Sequence, residues 1–171
     1  MTIRRNSLPS SVVLAGLLLL LAAGAAAQQP AKPKAKKLAA HSHPAEPPVV
    51  RLPGIPAYHA APPNAPLPST LPASDFTDPR VQTAYAMAAR IKNVLYQEPC
   101  YCRCDKTLSH TSLYSCYAGT HASVCETCLM EGIFTYLETK KGKSPGEIRA
   151  MIERGDWKSI NLNEFLNPSR Y

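Results

Sequence analysis

Apolar residues recur at helical spacing in the carboxy-terminal half of the chain. The first such run follows Asp78-Pro79, a favourable helix start because aspartate caps the free amides and proline suits the first helical position. The run comprises Val81, Ala84, Tyr85, Ala88, Ile91 and Leu95. Pro99 ends it, because the residue before a proline is pushed out of the helical region. The pattern predicts one helix between Asp78 and Pro99.

Two further helices are predicted downstream. The segment from Ser123 to Glu126 has the form of a capping box, and the helix after it ends near Gly142. Its predicted inner face is Leu129, Ile133, Tyr136 and Leu137. Ser144-Pro145-Gly146-Glu147 begins a third, short helix that carries Ile148, Met151 and Ile152. No alternating strand pattern stands out, so the predicted fold is small all-α, about three helices around a cysteine-rich loop.

The tail beyond Gly155 offers large apolar side chains that would cover this core. They are Trp157, Leu162, Phe165 and Leu166.

The amino-terminal residues 1–27 have the pattern of a secretory signal peptide. Arg4 and Arg5 precede a short apolar run, and Ala25-Ala26-Ala27 forms a small-residue cleavage site. The run is too short for a permanent span, so no stable membrane span is expected after cleavage; an uncleaved anchor is the alternative. No cysteine precedes Cys100, which leaves no site for a lipid anchor. We expect an exported protein, periplasmic or extracellular, soluble and not a lipoprotein.

Residues 28–73 are predicted to be a disordered linker. They contain 12 of the 17 prolines and few large apolar residues, a composition that cannot bury enough surface to offset the entropy of ordering. Such a tether could engage an envelope protein, although a passive spacer is the simpler interpretation. The folded domain is then residues 74–171.

Charge argues against nucleic acid as a partner. The chain has 19 basic and 12 acidic residues, a formal charge of +7. Seven basic residues and one acidic residue precede residue 74, which leaves the domain at 12 basic against 11 acidic residues. A nucleic-acid-binding domain would carry its basic excess on the folded part.

All six cysteines lie in one stretch of the predicted domain. They are Cys100, Cys102, Cys104, Cys116, Cys125 and Cys128. In a small exported domain an even number of cysteines is typical of a disulfide framework, and the sequence cannot choose among the pairings.

Two spacings favour metal binding. Cys125 and Cys128 are three residues apart at a helix start, so their sulfurs share one face, and His121 joins that stripe if the helix begins at Thr120. Cys100, Cys102 and Cys104 alternate, which places several sulfurs together, and cysteines two residues apart make strained disulfide partners. Crowded thiolates are ligands that Zn(II) and Cu(I) prefer. The predicted metal ligands are therefore the six cysteines and His121.

The segment Glu98-Pro99-Cys100-Tyr101-Cys102-Arg103-Cys104 resembles the signature of the PCYCGC-motif (CYCXC) family of small exported or lipid-anchored bacterial proteins. The similarity continues through His110 to Leu113, Cys116, His121 to Cys128, and Gly142 to Arg149. Arg103 stands where the family usually has glycine, which makes that turn less permissive. The resemblance implies a largely uncharacterised function with a metal or redox role.

Three functions stay open at this point. The first is an extracytoplasmic metal-binding protein with a cysteine–thiolate cluster for zinc or copper, structural or in storage or trafficking. The second is a disulfide-stapled binding module without metal. The third is a thiol–disulfide redox protein, which Cys125-x-x-Cys128 permits although the thioredoxin-like context is missing. No catalytic triad, phosphate-binding loop or organic-cofactor motif is present, so no catalytic or cofactor-binding residues are predicted and an enzyme is the less favoured class.

Overall fold

The structure, a computed structural model, describes residues 45–171. Within them the chain forms two strands and six α-helices, together with short 3-10 turns. In chain order these are β1 (Val49–Leu52), β2 (Ile55–His59), α1 (Pro79–Arg90), α2 (Lys92–Leu95), α3 (Cys104–Thr107), α4 (Leu113–Ala118), α5 (Glu126–Lys140) and α6 (Pro145–Arg154). The prediction of a mainly helical fold is confirmed for these residues. The predicted number of helices is too low, and the small sheet was not predicted.

The first predicted helix begins as expected but is divided in two. The Asp78 carboxylate accepts a hydrogen bond from the Arg80 amide at 2.9 Å, and Pro79 occupies the first helical position. At Ile91 the backbone leaves the helical conformation, so α1 ends and α2 begins at Lys92. The Lys92 ammonium then donates to the carbonyl oxygens of Leu67 and Pro68. The break thus coincides with a tertiary contact that helical spacing cannot reveal.

Helix α5 is the central element, because it is buried on most of its circumference. It packs against α1 and α4 in one apolar cluster, which includes Tyr85, Leu95, Leu113 and Ile133. A second cluster joins it to α6 and the following turn through Phe134, Ile148, Ile152 and Trp157. A helix packed on several sides has no solvated stripe, which explains why its apolar spacing is less regular than that of α1.

The two predicted capping boxes have different outcomes. At α6 the Ser144 hydroxyl accepts from the Glu147 amide and the Glu147 carboxylate accepts from the Ser144 amide, which confirms the prediction. At α5 the predicted box is wrong. Residues His121–Val124 form a 3-10 turn, and the helix begins after Cys125, whose side chain makes no capping hydrogen bond.

The carboxy-terminal segment covers the core largely as predicted. Trp157, Leu162 and Phe165 are buried, whereas Leu166 is 53% exposed, so the prediction for Leu166 is wrong. The buried Phe165 ring packs against the ring of Tyr171.

Part of the predicted linker is ordered. Residues 49–59 form an antiparallel hairpin in which Val50 pairs with Tyr58 and Leu52 with Ile55, and its turn uses Gly54 at a φ of 82°. A two-stranded ribbon has only edges, which is where strands tolerate proline. The hairpin is held by aromatic contacts: the His59 ring stacks on Tyr96, and Arg149 lies over the Tyr58 ring at 4.5 Å.

Residues 60–73 also pack on the helices, through backbone groups. The Leu71 amide donates to the Tyr117 carbonyl at 3.1 Å, and the Tyr114 hydroxyl donates to the Pro68 carbonyl at 3.0 Å. Proline lacks an amide donor but keeps its carbonyl acceptor. The prediction of disorder therefore needs correction for residues 45–73, where composition was outweighed by specific tertiary contacts.

The remaining amino-terminal predictions lie outside the described residues. These are the signal peptide (1–27) and the first part of the linker (28–44). Among residues 45–171 no helix combines the length and the apolar character needed to cross a membrane.

Gly132 permits the closest approach in the core. The Tyr117 hydroxyl lies against this glycine and donates to the Cys128 carbonyl at 2.8 Å. A β-carbon placed on Gly132 would lie 2.0 Å from that hydroxyl oxygen, whereas one on Gly146 of α6 would meet only the Arg149 side chain at 3.8 Å. Gly132 therefore determines how closely Tyr117 can hold the first turn of α5.

Gly132→Ala should lower the free energy of unfolding by about 1 to 3 kcal/mol, because overpacking outweighs the better helix propensity of alanine. The matched variant Gly146→Ala should raise it by about 0.5 to 1 kcal/mol, since only the propensity changes there. Urea denaturation of the two variants measures both. Equal changes in the free energy of unfolding in the two variants would show that the close contact between Tyr117 and Gly132 does not affect stability.

Candidate metal centre

The segment 99–104 turns sharply and so brings alternate cysteines together. The Arg103 amide donates to the Cys100 carbonyl at 3.2 Å, and Arg103 has a φ of 65°, in the left-handed region. Cys104 then begins α3. This geometry explains the glycine usual in the family signature, since a left-handed backbone is disfavoured for residues with a β-carbon. The guanidinium of Arg103 donates to the Gly54 carbonyl at 2.8 Å and thus joins the turn to the hairpin.

Three sulfur atoms form a triangle at the centre of the site. The Cys100 and Cys102 sulfurs are 3.3 Å apart, Cys100 and Cys128 are 3.4 Å apart, and Cys102 and Cys128 are 3.5 Å apart. Cys100 and Cys102 come from the turn before α3, whereas Cys128 comes from the first turn of α5. The triangle therefore joins two of the alternating cysteines to Cys128 of the Cys125-x-x-Cys128 pair.

A second pair of cysteines lies beside the triangle. The sulfurs of Cys104 and Cys116 are 3.4 Å apart, and Nδ1 of His110 is 3.3 Å from the Cys116 sulfur. All six cysteines lie in the described residues, and no disulfide joins any two of them there. We refer to the six as the thiol cluster.

Imidazole nitrogens extend the set of donor atoms. Nε2 of His121 is 3.5 Å from the Cys102 sulfur, and the His121 ring packs edge to face on His110 with centroids 5.4 Å apart. Three groups of four donor residues have their ligand atoms within 4.8 Å of one another. They are Cys100, Cys102, Cys116 and Cys128; Cys102, His121, Cys125 and Cys128; and Cys102, Cys104, Cys116 and His121. Cys102 belongs to all three groups.

The cluster has a closed side and an open side. Cys100, Cys104, Cys116 and Cys128 are buried. Cys102, Cys125 and His121 are half-buried, and Val124, next to Cys125, is 84% exposed. Among the residues that the structure describes, Cys102, Cys125, His110 and His121 are therefore the donors of the region most accessible to small ions and reagents.

The thiols of the cluster differ in pKa, so they do not lose their protons equally readily. The pKa of Cys102 is lowered because neighbouring thiols, Cys100 first, donate hydrogen bonds to its sulfur. The pKa of Cys100 is raised well above its ordinary value because it gives its hydrogen bond to Cys102, and contact with Cys100 raises the pKa values of Cys104 and Cys116. Cys102 is thus the first thiolate of the cluster, at its centre and on its open side.

Two buried carboxyl groups, Glu98 and Glu131, lie close in sequence to the cysteines, and neither was predicted. Glu131 accepts a hydrogen bond from the Tyr101 amide at 2.9 Å, and burial raises its pKa to about 8. Burial also raises the pKa of Glu98 to about 9, although Arg149 opposes this. Within residues 45–171 neither carboxylate oxygen of Glu98 has a hydrogen-bond partner. Glu131 lies one turn after Cys128, so helical spacing could have revealed it; Glu98 gave no such signal.

All seven residues predicted as ligands lie in this one region. His110 also contacts the cluster, although in the sequence it was only a lone polar loop residue. The arrangement of His121 differs from the prediction: it lies in the 3-10 turn before α5 and approaches Cys102, not along one helical stripe with Cys125 and Cys128. The role of these residues as ligands stays a prediction.

Fold and site define a class of protein: a small helical domain, with a short amino-terminal hairpin, built around a mostly buried cluster of thiols. The family model described as "Protein of unknown function with PCYCGC motif" matches residues 64–159, more than half of the chain. The chain belongs to this family, which confirms the resemblance seen in the sequence. Comparison with curated proteins and with solved structures finds no match.

The strain at Arg103 can be measured with two substitutions. Arg103→Gly and Arg103→Ala both remove the guanidinium contacts with Gly54 and Asp105, but only glycine relieves the left-handed backbone. The glycine variant should be the more stable of the two by about 1 kcal/mol in urea denaturation. Equal stabilities would contradict the assignment of strain to this position.

Glu98 should make stability depend on pH. Below about pH 4.5 its carboxyl is protonated in both folded and unfolded chains; between there and about pH 9 the unfolded chain releases the proton and the folded chain keeps it. The free energy of unfolding should therefore fall as pH rises through this window. Glu98→Gln should be more stable than the unsubstituted protein by about 1 to 3 kcal/mol at pH 8 and by much less at pH 4.5.

Denaturation at the two pH values tests this, with the exposed Glu164→Gln as the control for net charge. A constant difference between Glu98→Gln and the unsubstituted protein at both pH values would contradict it.

Proposed function

We propose that the protein is an extracytoplasmic metal-binding protein whose thiol cluster holds zinc or Cu(I). The observation that carries the proposal is the triangle of sulfurs from Cys100, Cys102 and Cys128, with further donors within 4.8 Å. A disulfide joins two sulfurs and would leave the third sulfur of the triangle unbonded. A metal ion accepts three or four sulfurs at once, so it satisfies a triangle as a disulfide cannot.

Distances support the same interpretation. A tetrahedral ion with sulfur ligands at about 2.3 Å holds those sulfurs on the order of 3.8 Å apart. The contacts of 3.3 to 3.5 Å in the triangle are close to this spacing. A small expansion of the cluster would admit an ion without any change in the helices.

The donor types define the class of ion. Thiolate and imidazole are soft or intermediate ligands, which suit Zn(II) and Cu(I) better than calcium or magnesium. Burial of Cys100, Cys104, Cys116 and Cys128 would hold an ion away from competing water. The backbone is also braced there, since Tyr117 binds the Cys128 carbonyl and Glu131 binds the Tyr101 amide.

The proposed location outside the cytoplasm rests on the sequence of residues 1–27. The proposed partner beyond the metal ion, an envelope protein engaged through the proline-rich segment of residues 28–73, rests on composition alone. We propose no catalytic residues and no organic cofactor.

A thiol–disulfide redox protein is the second candidate. The half-buried Cys102, with its lowered pKa, is the feature that favours it, because a thiolate that reagents can reach is the form that attacks a disulfide. The two candidates differ in what occupies the sulfurs of the purified protein: an ion, or a bond between sulfurs.

Metal analysis of the full chain distinguishes them. The protein should be purified without chelators from the compartment in which it accumulates, analysed by elemental and native mass spectrometry, and then denatured and alkylated to count free thiols. We expect zinc or copper in at least equimolar amount, with four or more thiols free once the metal is removed. Removing the metal should lower Tm by several degrees, since an ion bound only by the folded state stabilises it.

Cys102→Ser is the informative variant and Ser123→Ala is its matched control. In the part of the chain that the structure describes, the Ser123 hydroxyl donates to the Thr120 carbonyl and contacts none of the donor residues, so Ser123→Ala should keep its metal whereas Cys102→Ser should lose most of it. A protein without metal in which all six cysteines are oxidised would overturn the proposal and favour a disulfide-stapled module or the redox protein.

A further inference from the structure

We propose that the thiol cluster holds two thiophilic ions at once, an inner and an outer one, which share the sulfurs of Cys102 and Cys128, and that the outer ion is the one exchanged with the surroundings. This inference rests on the proposed metal-binding function. The inner set of donors is Cys100, Cys102, Cys116 and Cys128. The outer set is Cys102, His121, Cys125 and Cys128.

The overlap of the two sets is the first argument. One tetrahedral ion uses four donors, yet seven residues here lie in overlapping groups of four. The inner and outer sets have Cys102 and Cys128 in common, and those two sulfurs are 3.5 Å apart. A thiolate sulfur has several lone pairs, so two such sulfurs side by side can each bind both ions.

The third group of donors cannot be filled together with the outer set. Both groups need His121. The ring nitrogen that faces Cys102 has a single lone pair, so it binds one ion at a time. Cys125 belongs to the outer set but not to the third group, whereas Cys104 belongs to the third group but not to the outer set. These two cysteines therefore separate the alternatives by experiment.

Charge is the second argument. For zinc, four thiolates around one ion leave a net charge of about −2 in a mostly buried site, whereas five thiolates around two ions leave about −1. Sharing two sulfurs adds an ion with only one further thiolate, that of Cys125. The second ion thus lowers the uncompensated charge that the domain must bury.

Burial assigns different roles to the two positions. The unshared inner donors, Cys100 and Cys116, are buried, whereas the unshared outer donors, His121 and Cys125, are half-buried. A chelator or an accepting protein can therefore replace the outer ligands one at a time without opening the core. The inner ion would stay in place and hold the two shared sulfurs in position.

Cys125→Ser tests the outer position with little risk to the fold. Cys125 is the N-cap of α5 and makes no capping hydrogen bond, and serine is a preferred residue there. Ser123→Ala, two residues before Cys125, is the matched control, because Ser123 belongs to none of the three donor groups. Cys104→Ser removes a donor of the third group without touching the outer set. His121→Gln provides a second variant of the outer set.

The reduced full chain and its variants are loaded with Zn(II) alone, and in parallel with Cu(I) alone, and their stoichiometry is read by native mass spectrometry. Release is followed with a pyridylazo dye for zinc and with bathocuproine for copper. With at least one of these ions, we expect two equivalents in the unsubstituted protein and in Ser123→Ala, released in a fast and a slow phase. Cys125→Ser and His121→Gln should each bind one equivalent and lack the fast phase.

The outcomes separate this inference from the proposed function. A single equivalent that leaves the unsubstituted protein in one phase would overturn the two-ion site while the metal-binding function stands. Loss of the second ion in Cys104→Ser, with Cys125→Ser unaffected, would overturn the assignment of the outer position. No binding of either ion would overturn both proposals.

Discussion

Crowded sulfur atoms impose the main constraint on this domain. Thiols in contact at 3.3 to 3.5 Å cannot all lose their protons, because each further thiolate would add negative charge to a region of low dielectric. The structure meets this constraint by letting Cys102 ionise first and by keeping Cys100, Cys104 and Cys116 protonated. Bound metal ions would bring positive charge and so allow more of the thiols to ionise. The surrounding helices and turns keep the sulfurs close enough together to bind such ions. Central helix α5, the turn at Arg103 and the contact between Tyr117 and Gly132 all act on the position of a sulfur.

The chemistry of the site could be predicted from the sequence to a large extent. Spacings of two and three residues place side chains on one side of a turn or a helix regardless of the rest of the fold, so Cys100 could be placed beside Cys102, and Cys125 beside Cys128, in advance. The starts of α1 and α6 were predictable for the same reason, since an N-cap residue acts on amides only two or three positions away. Features that depend on interactions between residues a few positions apart, such as these, can be predicted from the sequence without a structure.

What the sequence did not reveal depends on contacts between distant segments. The hairpin has a proline-rich composition typical of a linker, yet it is ordered by the contacts of His59 with Tyr96 and of Tyr58 with Arg149. The break at Ile91 was missed because helical spacing continues across it, and the start of α5 was misplaced because Ser123 to Glu126 has the form of a capping box, whereas His121–Val124 folds into a 3-10 turn. His110 reaches the site only through the path of the loop, and Glu98 is buried near charged residues of α6 through tertiary packing. None of these has a local signature.

The position of the cysteines also bears on how the chain folds. The six cysteines lie within 29 residues, so bringing them together closes only short loops. Loop closure becomes more costly with length, and contacts between residues close in sequence generally form faster than distant ones. By contrast, the hairpin reaches Arg103 across 49 residues and Arg149 reaches Gln97 across 52. The segment that contains the cysteines therefore has a low entropic cost of assembly. It can provide a folding nucleus onto which α1, α6 and the hairpin later dock.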